Sequence, residues 1–416
     1  MKHGYAFKGE YFSKSGRYVL LTPGNFYDEG GFREKGEDEK YYTGEIPPGY
    51  VLKQGDLIVA MTEQAEGLLG SPAIIPKSNT YLHNQRLGLI TDLDKNEIDK
   101  KFLYYLFNFG NVRAQIRATA SGVKVRHTSP ERIYQVEVYV PSIAAQRKIA
   151  AILSTYDDLI ENNTKRIKIL EKMAQSIYRE WFVHYRFPGH QEVRMVDSSV
   201  GKIPDGWAVR TVADIANIHR GKSYKGEHLA TGGIPFLNLK CINRDGGFRI
   251  DGLKQYKGPF KQSQTARTGD IIIAVTDMTQ ERRIVARAAL VPRLNMDFAV
   301  FSMDLVKIEP KDDMPANYLY GMFRFSTFSD EVKKYANGVN VLHLNPERIG
   351  TYSFACPPVS VCRDYENLVK RLYEQQNTLI QKNDVLRQAR DLLFPRLMSG
   401  EVDASELNIG GRDPEA

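Results

Sequence analysis

The sequence contains few of the features that enzymes use for chemistry. Its three cysteines (Cys241, Cys356 and Cys362) form no CxxC pair and are an odd number, which predicts free thiols in a reducing cytoplasm and no zinc site. It has no G-x-x-x-x-G-K-[ST] phosphate loop, no dinucleotide-binding G-x-G-x-x-G and no G-x-S-x-G nucleophile elbow. The Asn/Asp-Pro-Pro-Tyr/Phe tetrapeptide of adenine methyltransferases is absent as well. We therefore predict a chain without a catalytic site, metal or cofactor of its own.

Long hydrophobic runs are also missing. The strongest run, "IIIAV" at 271–275, is far shorter than the ~20 apolar residues of a membrane span. The first residues, "MKHGYAFKGE", lack the apolar region of a signal peptide. With 42% hydrophobic and 26% charged residues, the composition predicts a soluble globular protein of the cytoplasm. The net charge of +7 permits a polyanionic partner.

What the sequence does contain is an internal duplication. Residues 121–133 read "SGVKVRHTSPERI", and residues 337–349, at an offset of 216, read "NGVNVLHLNPERI". The offset persists with small drifts: "GYAFKGEYF" at 4–12 matches "GKSYKGEHL" at 221–229, and "GDLIVAMT" at 55–62 matches "GDIIIAVT" at 269–276. The repeated offset indicates two homologous halves, and its small drifts indicate loops that differ in length.

Each half has the same internal order. Short β-type runs, such as "RYVLLT", "GDLIVAMT" and "YQVEVYVP", come first and are bounded by turn residues. A long segment with apolar residues at alternating spacings of three and four then predicts a coiled-coil helix. The predicted seam positions are Ile149, Leu153, Ile160, Asn163, Ile167, Leu170 and Ile177 in the first helix, and Leu368, Leu372, Gln375, Leu379, Leu386 and Leu393 in the second.

Both helices place a polar amide at the same seam position, Asn163 in one and Gln375 in the other. Such a group costs stability but fixes register, although two unrelated solvent-tolerant positions are the alternative interpretation. Packing the helices antiparallel would bury both seams. The predicted fold is α+β: two tandem mixed domains in a pseudo-twofold arrangement, separated by two antiparallel helices. The predicted boundaries are a first domain at 1–142, a helix at 143–186, a linker and second domain at 187–358, a helix at 359–398 and a tail at 399–416.

This layout resembles the specificity subunit of type I restriction-modification systems, in which two target-recognition domains are joined by long helices. The resemblance covers nearly the whole chain and is carried by "GYAFKGE", "GDLIVAMT", "SGVKVRHTSPERIYQVEVYVPS", "AAQRKIAAIL" with "SIYREWF", and "RDLLFPRLMSGEVD". It implies binding to double-stranded DNA, two methyltransferase subunits docked on the helices, and restriction motor-nuclease subunits. It also implies that S-adenosylmethionine, ATP and Mg belong to those partners, which flip and methylate an adenine and cleave DNA.

The sequence departs from the family in two places. Cys362 replaces the glutamine that the first helix retains as Gln146. Residue 1 aligns with residue 218, so the first half has no counterpart of "IPDGWAVRTVADIAN" at 203–217, an opening that usually adds a strand in the family. Two explanations stay open: the start is truncated, or the C-terminal tail fills the gap.

Reading DNA requires cations for phosphates and planar hydrogen-bonding groups for base edges, and three pairs of equivalent loops supply these residue types. A shared frame, "GV…PERI", surrounds side chains that differ between the halves, as two readers of different sequences would need. The candidates are Lys8 against Lys222 and Lys225; Thr62 and Gln64 against Thr276, Thr279, Gln280, Arg282 and Arg283; Lys124, Arg126 and His127 against Asn340 and His343; and a further basic loop with Lys240, Asn243 and Arg244.

The sequence thus favours a non-catalytic subunit that reads two unlike half-sites of an asymmetric target, with the helices as a ruler. Modules on one side of B-DNA lie about 10 bp apart between centres, which predicts a gap on the order of 6 bp. The alternatives are a stand-alone endonuclease with duplicated domains, a coiled-coil adaptor without sequence specificity, and a subunit of a related phage-defence methylation system. The target bases depend on loop conformation, which no sequence pattern fixes.

Overall fold

The computed structural model describes residues 1–64 and 66–404, which fall into two compact units. Unit 1 combines Met1–Ile160 with the chain from residue 385 onward, and unit 2 comprises Glu161–Asp384. Among the described residues, no helix combines the length and the apolar character needed to cross a membrane.

The described residues of unit 1 form two four-stranded sheets and a two-stranded ribbon, with strand orders β1-β9-β5-β7, β2-β4-β3-β8 and β10-β6. The central strand β5 is buried along its whole length, because "LIVA" is apolar on both faces. The elements of this part of the chain are β1 (Lys2–His3), β2 (Phe12–Ser13), β3 (Tyr18–Leu20), β4 (Tyr41–Tyr42), β5 (Leu57–Ala60), β6 (Thr62–Glu63), β7 (Pro72–Ile74), β8 (Tyr81–Leu82), β9 (Leu87–Leu89), α1 (Lys100–Asn108), α2 (Gly110–Ala118), β10 (Arg126–His127), α3 (Pro130–Ile133) and α4 (Ile143–Tyr178).

Unit 2 repeats this plan in the sheets β14-β22-β18-β20 and β16-β15-β21-β17 and in the ribbon β19-β23. It adds two pairs, β11-β12 and β13-β24. Its elements are β11 (Met195–Ser198), β12 (Gly201–Pro204), β13 (Ala208–Thr211), α5 (Val212–Ile215), β14 (Ala216–Arg220), β15 (Leu229–Leu237), β16 (Lys254–Tyr256), β17 (Thr265–Ala266), β18 (Ile271–Ala274), β19 (Thr276–Asp277), β20 (Ala288–Leu290), β21 (Ala299–Phe301), β22 (Leu305–Pro310), α6 (Ala316–Phe325), α7 (Phe328–Val332), β23 (Leu342–His343), α8 (Glu347–Gly350), β24 (Ser353–Cys356) and α9 (Val359–Met398).

One predicted strand is absent from unit 1. The run "YQVEVYVP" at 134–141 has no strand, whereas the equivalent β24 of unit 2 pairs with β13. A strand requires a neighbour for its N–H and C=O groups, and unit 2 supplies one from residues 208–211. In unit 1 the side chains of Val138, Tyr139 and Val140 are exposed instead. Of the predicted tail at 399–416, the described residues 399–404 form no strand, and residues 405–416 lie outside the described part of the chain.

The two long helices predicted from the heptad spacing are present as α4, 36 residues long, and α9, 40 residues long. Within unit 1, the start of α4 packs against the end of α9, where the Asp157 carboxylate accepts a 2.7 Å hydrogen bond from Arg390. Within unit 2, the end of α4 packs against the start of α9, with the Tyr178 and Tyr365 rings 6.0 Å apart. The helices are therefore antiparallel in both units. Of the predicted seam of α4, Ile149, Leu153 and Asn163 are buried, and Ile160, Ile167, Leu170 and Ile177 are half-buried.

The predicted seam of α9 is wrong at two positions. Leu368 is 50% exposed and Gln375 is exposed, while Leu379 is buried and Leu372, Leu386 and Leu393 are half-buried. Val369 and Tyr373 are buried instead of Leu368 and Gln375. The Tyr373 ring packs against the Tyr320 ring of α6, and this contact fixes the rotation of α9 about its axis. The polar seam partner of Asn163 is Asn383, whose side-chain oxygen accepts a 2.9 Å hydrogen bond from the Asn163 amide.

Candidate nucleic-acid interface

The second and third candidate loops of unit 1 are joined by the short ribbon β6-β10. Thr62 lies opposite His127, and Glu63 lies opposite Arg126. The Thr62 hydroxyl is 3.1 Å from Nδ1 of His127, so it orients the ring. Lys124, Arg126, His127 and Gln64 are exposed around this ribbon. The pairing thus gathers two cations, an imidazole and an amide onto one local surface.

Unit 2 builds the equivalent surface with the ribbon β19-β23, in which Thr276 lies opposite His343. The Gln280 amide donates a 2.6 Å hydrogen bond to the carbonyl of Val339, which ties the loop after β19 to the loop before β23. Of the candidates here, Thr279, Gln280, Asn340 and His343 are exposed, and Arg282 and Arg283 are half-buried. The Arg283 guanidinium also pairs with Glu281 at 3.1 Å.

The shared "GV" frame shapes the tips of these surfaces. Gly122 has φ +103°, and a Cβ there would lie 2.0 Å from the Val125 carbonyl oxygen. Gly338 has φ +150°, and a Cβ there would lie 1.9 Å from the Val341 carbonyl oxygen. Only glycine fits such a turn. The valine that follows each glycine points into solvent: Val123 is 98% exposed and Val339 is 89% exposed. Sequence reasoning treated these valines as frame residues, but they are the most prominent side chains of the two tips.

Two candidates have a different place from the one predicted. Thr62 and Thr276 are each only 4% exposed, so neither presents a surface to a ligand, and Thr62 contacts His127 from inside. Both threonines are buried because they belong to the strands of the ribbons. These strands are only two residues long, so they are hard to recognise in a sequence.

Sequence reasoning also missed a buried carboxylate in each unit, directly after those threonines. Asp277 accepts hydrogen bonds from the backbone N–H groups of Thr279, Ile284 and Val285 at 2.9, 2.7 and 3.2 Å. Burial by itself would raise the pKa of Asp277, but these hydrogen bonds outweigh it and the pKa is lowered. The carboxylate therefore holds the whole loop that carries Gln280, Arg282 and Arg283.

In unit 1 the corresponding acid is Glu63. Its Oε2 atom accepts hydrogen bonds from the N–H groups of Gly67 at 3.1 Å and Leu69 at 2.9 Å. Its Oε1 atom lies 3.9 Å from the Arg117 guanidinium. The signal in the sequence is the acid at the third position of the matching tripeptides "MTE" and "VTD".

The remaining candidates lie elsewhere in their units. Lys8 and Lys225 are exposed and pair with glutamates at 4.0 Å (Glu10) and 3.6 Å (Glu227), as surface ions commonly do. Lys222 is half-buried, and its backbone N–H donates to Phe301. Lys240, Asn243 and Arg244 are exposed on the loop after β15; Asn243 also lines a cavity with residues of α4 and α9, including Glu171 and Gln376.

The described residues contain no cluster of three or more His, Cys, Asp or Glu side chains that could hold a metal ion. The three cysteines are buried and form no disulfide. Burial raises the pKa of Cys241 to about 11, so this thiol is a poor nucleophile at neutral pH. The polar loops of each unit present hydrogen-bond donors, acceptors and positive charge, the groups that proteins use to bind nucleic acids. A duplicated α+β unit with such loops, joined by two long helices, defines a protein of the DNA-recognition class.

Comparison with known proteins places the chain more closely. Residues 1–172 and 204–384 match the type I restriction modification DNA specificity domain family. The MjaIX specificity subunit of Methanocaldococcus jannaschii is 25% identical over 328 residues, which cover 77% of this chain and 73% of the relative. The EcoBI specificity subunit of Escherichia coli is 26% identical over 258 residues, which cover 58% of this chain and 52% of the relative. The crystal structure of a type I system S subunit from M. genitalium has a TM-score of 0.56 at 16% identity and covers 95% of this chain and 92% of its own, which shows the same fold.

The chain therefore belongs to the type I restriction modification DNA specificity domain family. Its matched segments take in most of both units. This membership supports the specificity-subunit interpretation of the sequence over the nuclease and adaptor alternatives.

Proposed function

We propose that this chain reads a bipartite, asymmetric sequence in double-stranded DNA, with one half-site for each unit, and performs no chemistry itself. The single observation that carries the proposal is the pair of equivalent ribbons, β6-β10 and β19-β23, which have the same register but different exposed side chains. Two exposed cations lie at the tip in unit 1, Lys124 and Arg126, where unit 2 has the exposed amide of Asn340 and a buried leucine, Leu342. Different contacts on the same frame are what two different half-sites require.

We assign the contacts to DNA by exposure and chemistry. Lys124 and Arg126 in unit 1, and Arg282 and Arg283 in unit 2, supply charge for phosphates. Gln64, Gln280 and Asn340 supply planar amides, the groups that pair with adenine edges in the major groove. His127 and His343 lie opposite threonines in the ribbons and complete each surface. The basic residues Lys8, Lys222, Lys225, Lys240 and Arg244, with Asn243, are assigned to flanking contacts.

The partners follow from the family. The curated relatives are named as specificity subunits of type I restriction enzymes, so we propose that two methyltransferase subunits and restriction subunits assemble with this chain in the cytoplasm. S-adenosylmethionine, ATP and Mg would then be bound by those subunits. In this assembly the chain's task is to select the site at which the partners act.

The direct test is to sequence the methylated bases of a strain with and without this gene. We expect one bipartite motif to lose methylation when the gene is deleted. Exchanging the unit 1 tip for that of unit 2, with Lys124→Asn and Arg126→Leu, should alter one half of the motif and leave the other half unchanged. A motif that stays intact, or changes in both halves together, would contradict the assignment of one half-site to each unit.

We further propose that the long helices set the gap between the half-sites. Removing four residues from α4 and four from α9 shortens each helix by about 6 Å, close to two base pairs of B-DNA. The motif recovered by methylation sequencing should keep both half-sites and lose about two bases between them. An unchanged gap would show that the helices do not act as a ruler.

A further inference from the structure

The turn at the end of each ribbon presents one aliphatic side chain to solvent. Val123 is 98% exposed in unit 1, and Val339 is 89% exposed in unit 2. Single exposed apolar residues are common on folded proteins. Here, however, the same residue type occupies the same position of a duplicated turn, at the offset of 216 that relates the two halves. This repetition indicates a use for the side chain outside the fold of its own unit.

The other apolar residues that the two turns share are packed within their units. Val125 and Val341 are half-buried, and Ile133 and Ile349 are buried. The fold itself therefore accounts for them. It does not account for the first valine of each turn, because the described residues leave that side chain almost wholly in solvent.

Each of these exposed valines is held in a fixed place. Backbone hydrogen bonds of 3.0 and 2.8 Å between Ser121 and His127 close the turn that carries Val123. Asn337 and His343 close the turn of unit 2 with the same two distances. A β-branched side chain is also stiff about χ1. A contact made by such a valine therefore loses little conformational entropy.

The chemistry of the valine differs from that of its neighbours on the turn. Lys124 and Arg126 in unit 1, and Asn340 in unit 2, are exposed polar groups suited to phosphates and polar base edges. An isopropyl group forms no hydrogen bond, so it gains free energy only from contact with another apolar group. In the major groove of B-DNA, the apolar group on the base edges is the C5 methyl of thymine.

We propose that Val123 and Val339 each contact the C5 methyl group of a thymine in the half-site that their unit reads. This contact rests on the proposed function, and it supplies the part of the readout that the polar side chains cannot supply. The residues that differ between the turns distinguish the two half-sites. The shared valine detects a base that both half-sites contain.

Insertion between two base steps is the other apolar contact that DNA allows. Proteins that unstack a step in this way use larger wedges, such as Phe, Leu, Ile, Met or Pro, and enter from the minor groove. Valine is shorter than these, and the amides and cations of the surrounding loops match the major groove better. The methyl contact is therefore favoured.

The test removes the methyl group from the DNA. The full chain, assembled with its methyltransferase subunits, is titrated by fluorescence anisotropy against duplexes that carry the motif recovered by methylation sequencing. Each thymine of the motif is replaced in turn by deoxyuridine, which lacks only the C5 methyl group. One thymine in each half-site should be sensitive, and its uracil duplex should bind about fourfold more weakly, the effect of exposing one buried methyl group.

Val123→Ala and Val339→Ala then remove the other side of the contact. Val123→Ala should bind the unmodified duplex more weakly by a similar factor and should no longer distinguish thymine from uracil at the sensitive position of the unit 1 half-site. It should keep this discrimination in the unit 2 half-site, and Val339→Ala should show the reverse. Each variant is thus the matched control of the other. Because both side chains lie in solvent, neither change should alter thermal unfolding.

Three results would overturn the thymine contact: no thymine responds to uracil, a valine variant loses the same factor on both bases, or both variants respond at one thymine. The second result would identify a contact with the sugar or an inserted wedge. A duplex with a scrambled motif separates these failures from failure of the proposed function. If the complex prefers the motif but ignores uracil, only the thymine contact is wrong. If it shows no preference for the motif, the proposed function is wrong as well.

Discussion

The loop after β6 in unit 1 and the loop after β19 in unit 2 are each held by a buried carboxylate, but in different ways. In unit 2, both oxygens of Asp277 are used: Oδ1 accepts from Thr279, and Oδ2 accepts from Ile284 and Val285. In unit 1, among the described residues, Gly67 and Leu69 donate backbone hydrogen bonds to Oε2 of Glu63, and Oε1 faces Arg117. The internal repeat thus conserves a buried acid as an anchor while the loop around it changes in length and charge.

This difference also redistributes the arginines. In unit 1, Arg113 donates to the Gly67 carbonyl and Arg117 pairs with Glu66, so both guanidinium groups help to hold the loop. In unit 2 the loop is held by backbone donors. Its own arginines, Arg282 and Arg283, are placed on the half-exposed part of the loop. Arginine side chains therefore hold the loop in unit 1, whereas the arginines of the unit 2 loop are partly exposed to solvent.

The largest expected contrast comes from neutralising the two anchors. Asp277→Asn must turn an NH2 group toward backbone N–H donors, which should cost about 2–4 kcal/mol of loop stability. Glu63→Gln can keep its oxygen toward Gly67 and Leu69, so about 1 kcal/mol or less should be lost. Native-state hydrogen exchange at Ile284 and Val285, compared with Gly67 and Leu69, measures both values. Equal losses in the two units would remove the distinction between the anchors.

Acidification should sharpen the same contrast. The pKa of Asp277 is lowered by its hydrogen bonds against the opposing effect of burial, so the carboxylate stabilises the folded loop. That contribution is complete above the unfolded pKa of about 3.9 and is lost as the pH falls through the lower folded pKa. Exchange at Ile284 should therefore accelerate, after correction for intrinsic rates, as the pH falls below about 4. The Asp277→Asn chain should show no such step.

The helix seams offer a third comparison, between the amide that sequence predicts and the one that the structure contains. Asn383→Leu leaves the buried Asn163 amide without its partner and should cost about 1–3 kcal/mol. Gln375→Leu, on the exposed face, should change stability by about 0.5 kcal/mol or less. Both tryptophans, Trp181 and Trp207, lie in unit 2, so tryptophan fluorescence during urea unfolding follows this unit.

A double variant serves as control for the seam. Asn163→Leu with Asn383→Leu removes both amides together and should recover most of the stability lost in Asn383→Leu. If Gln375→Leu proves as costly as Asn383→Leu, the rotation of α9 described above is wrong.

Much of this architecture is predictable because it depends on periodicity and repetition. The duplication, the two long helices and the seam of α4 follow from spacing alone. The seam of α9 does not, because Leu368 and Val369 offer two neighbouring apolar faces, and only the aromatic core around Tyr365 and Tyr373 decides between them. The strand expected at 134–141 depends on a neighbour that no local pattern reveals. The buried anchors escape prediction because an acid after a strand usually indicates a solvated turn.

The candidate interface shows the same limit. Residue type and the shared frame identify the loops that carry Lys124, Gln280 and Asn340. They do not separate Thr62, which supports a histidine from inside, from Gln64, which is exposed two residues later. That separation depends on a two-residue ribbon formed between positions 65 residues apart.

The smallest expected effect distinguishes a charged contact at the tip of unit 1 from an uncharged contact at the tip of unit 2. Lys124→Ala should weaken binding to a duplex that carries the methylated motif by about 1 kcal/mol and reduce the slope of log K against log salt by about 0.9, as the loss of one phosphate contact requires. Asn340→Ala, at the equivalent position of unit 2, should weaken binding without changing the slope, since no charge is lost. Anisotropy titrations between about 50 and 200 mM salt measure both quantities. The same slope change for the two variants would mean that the tips do not divide phosphate and base contacts between them in this way.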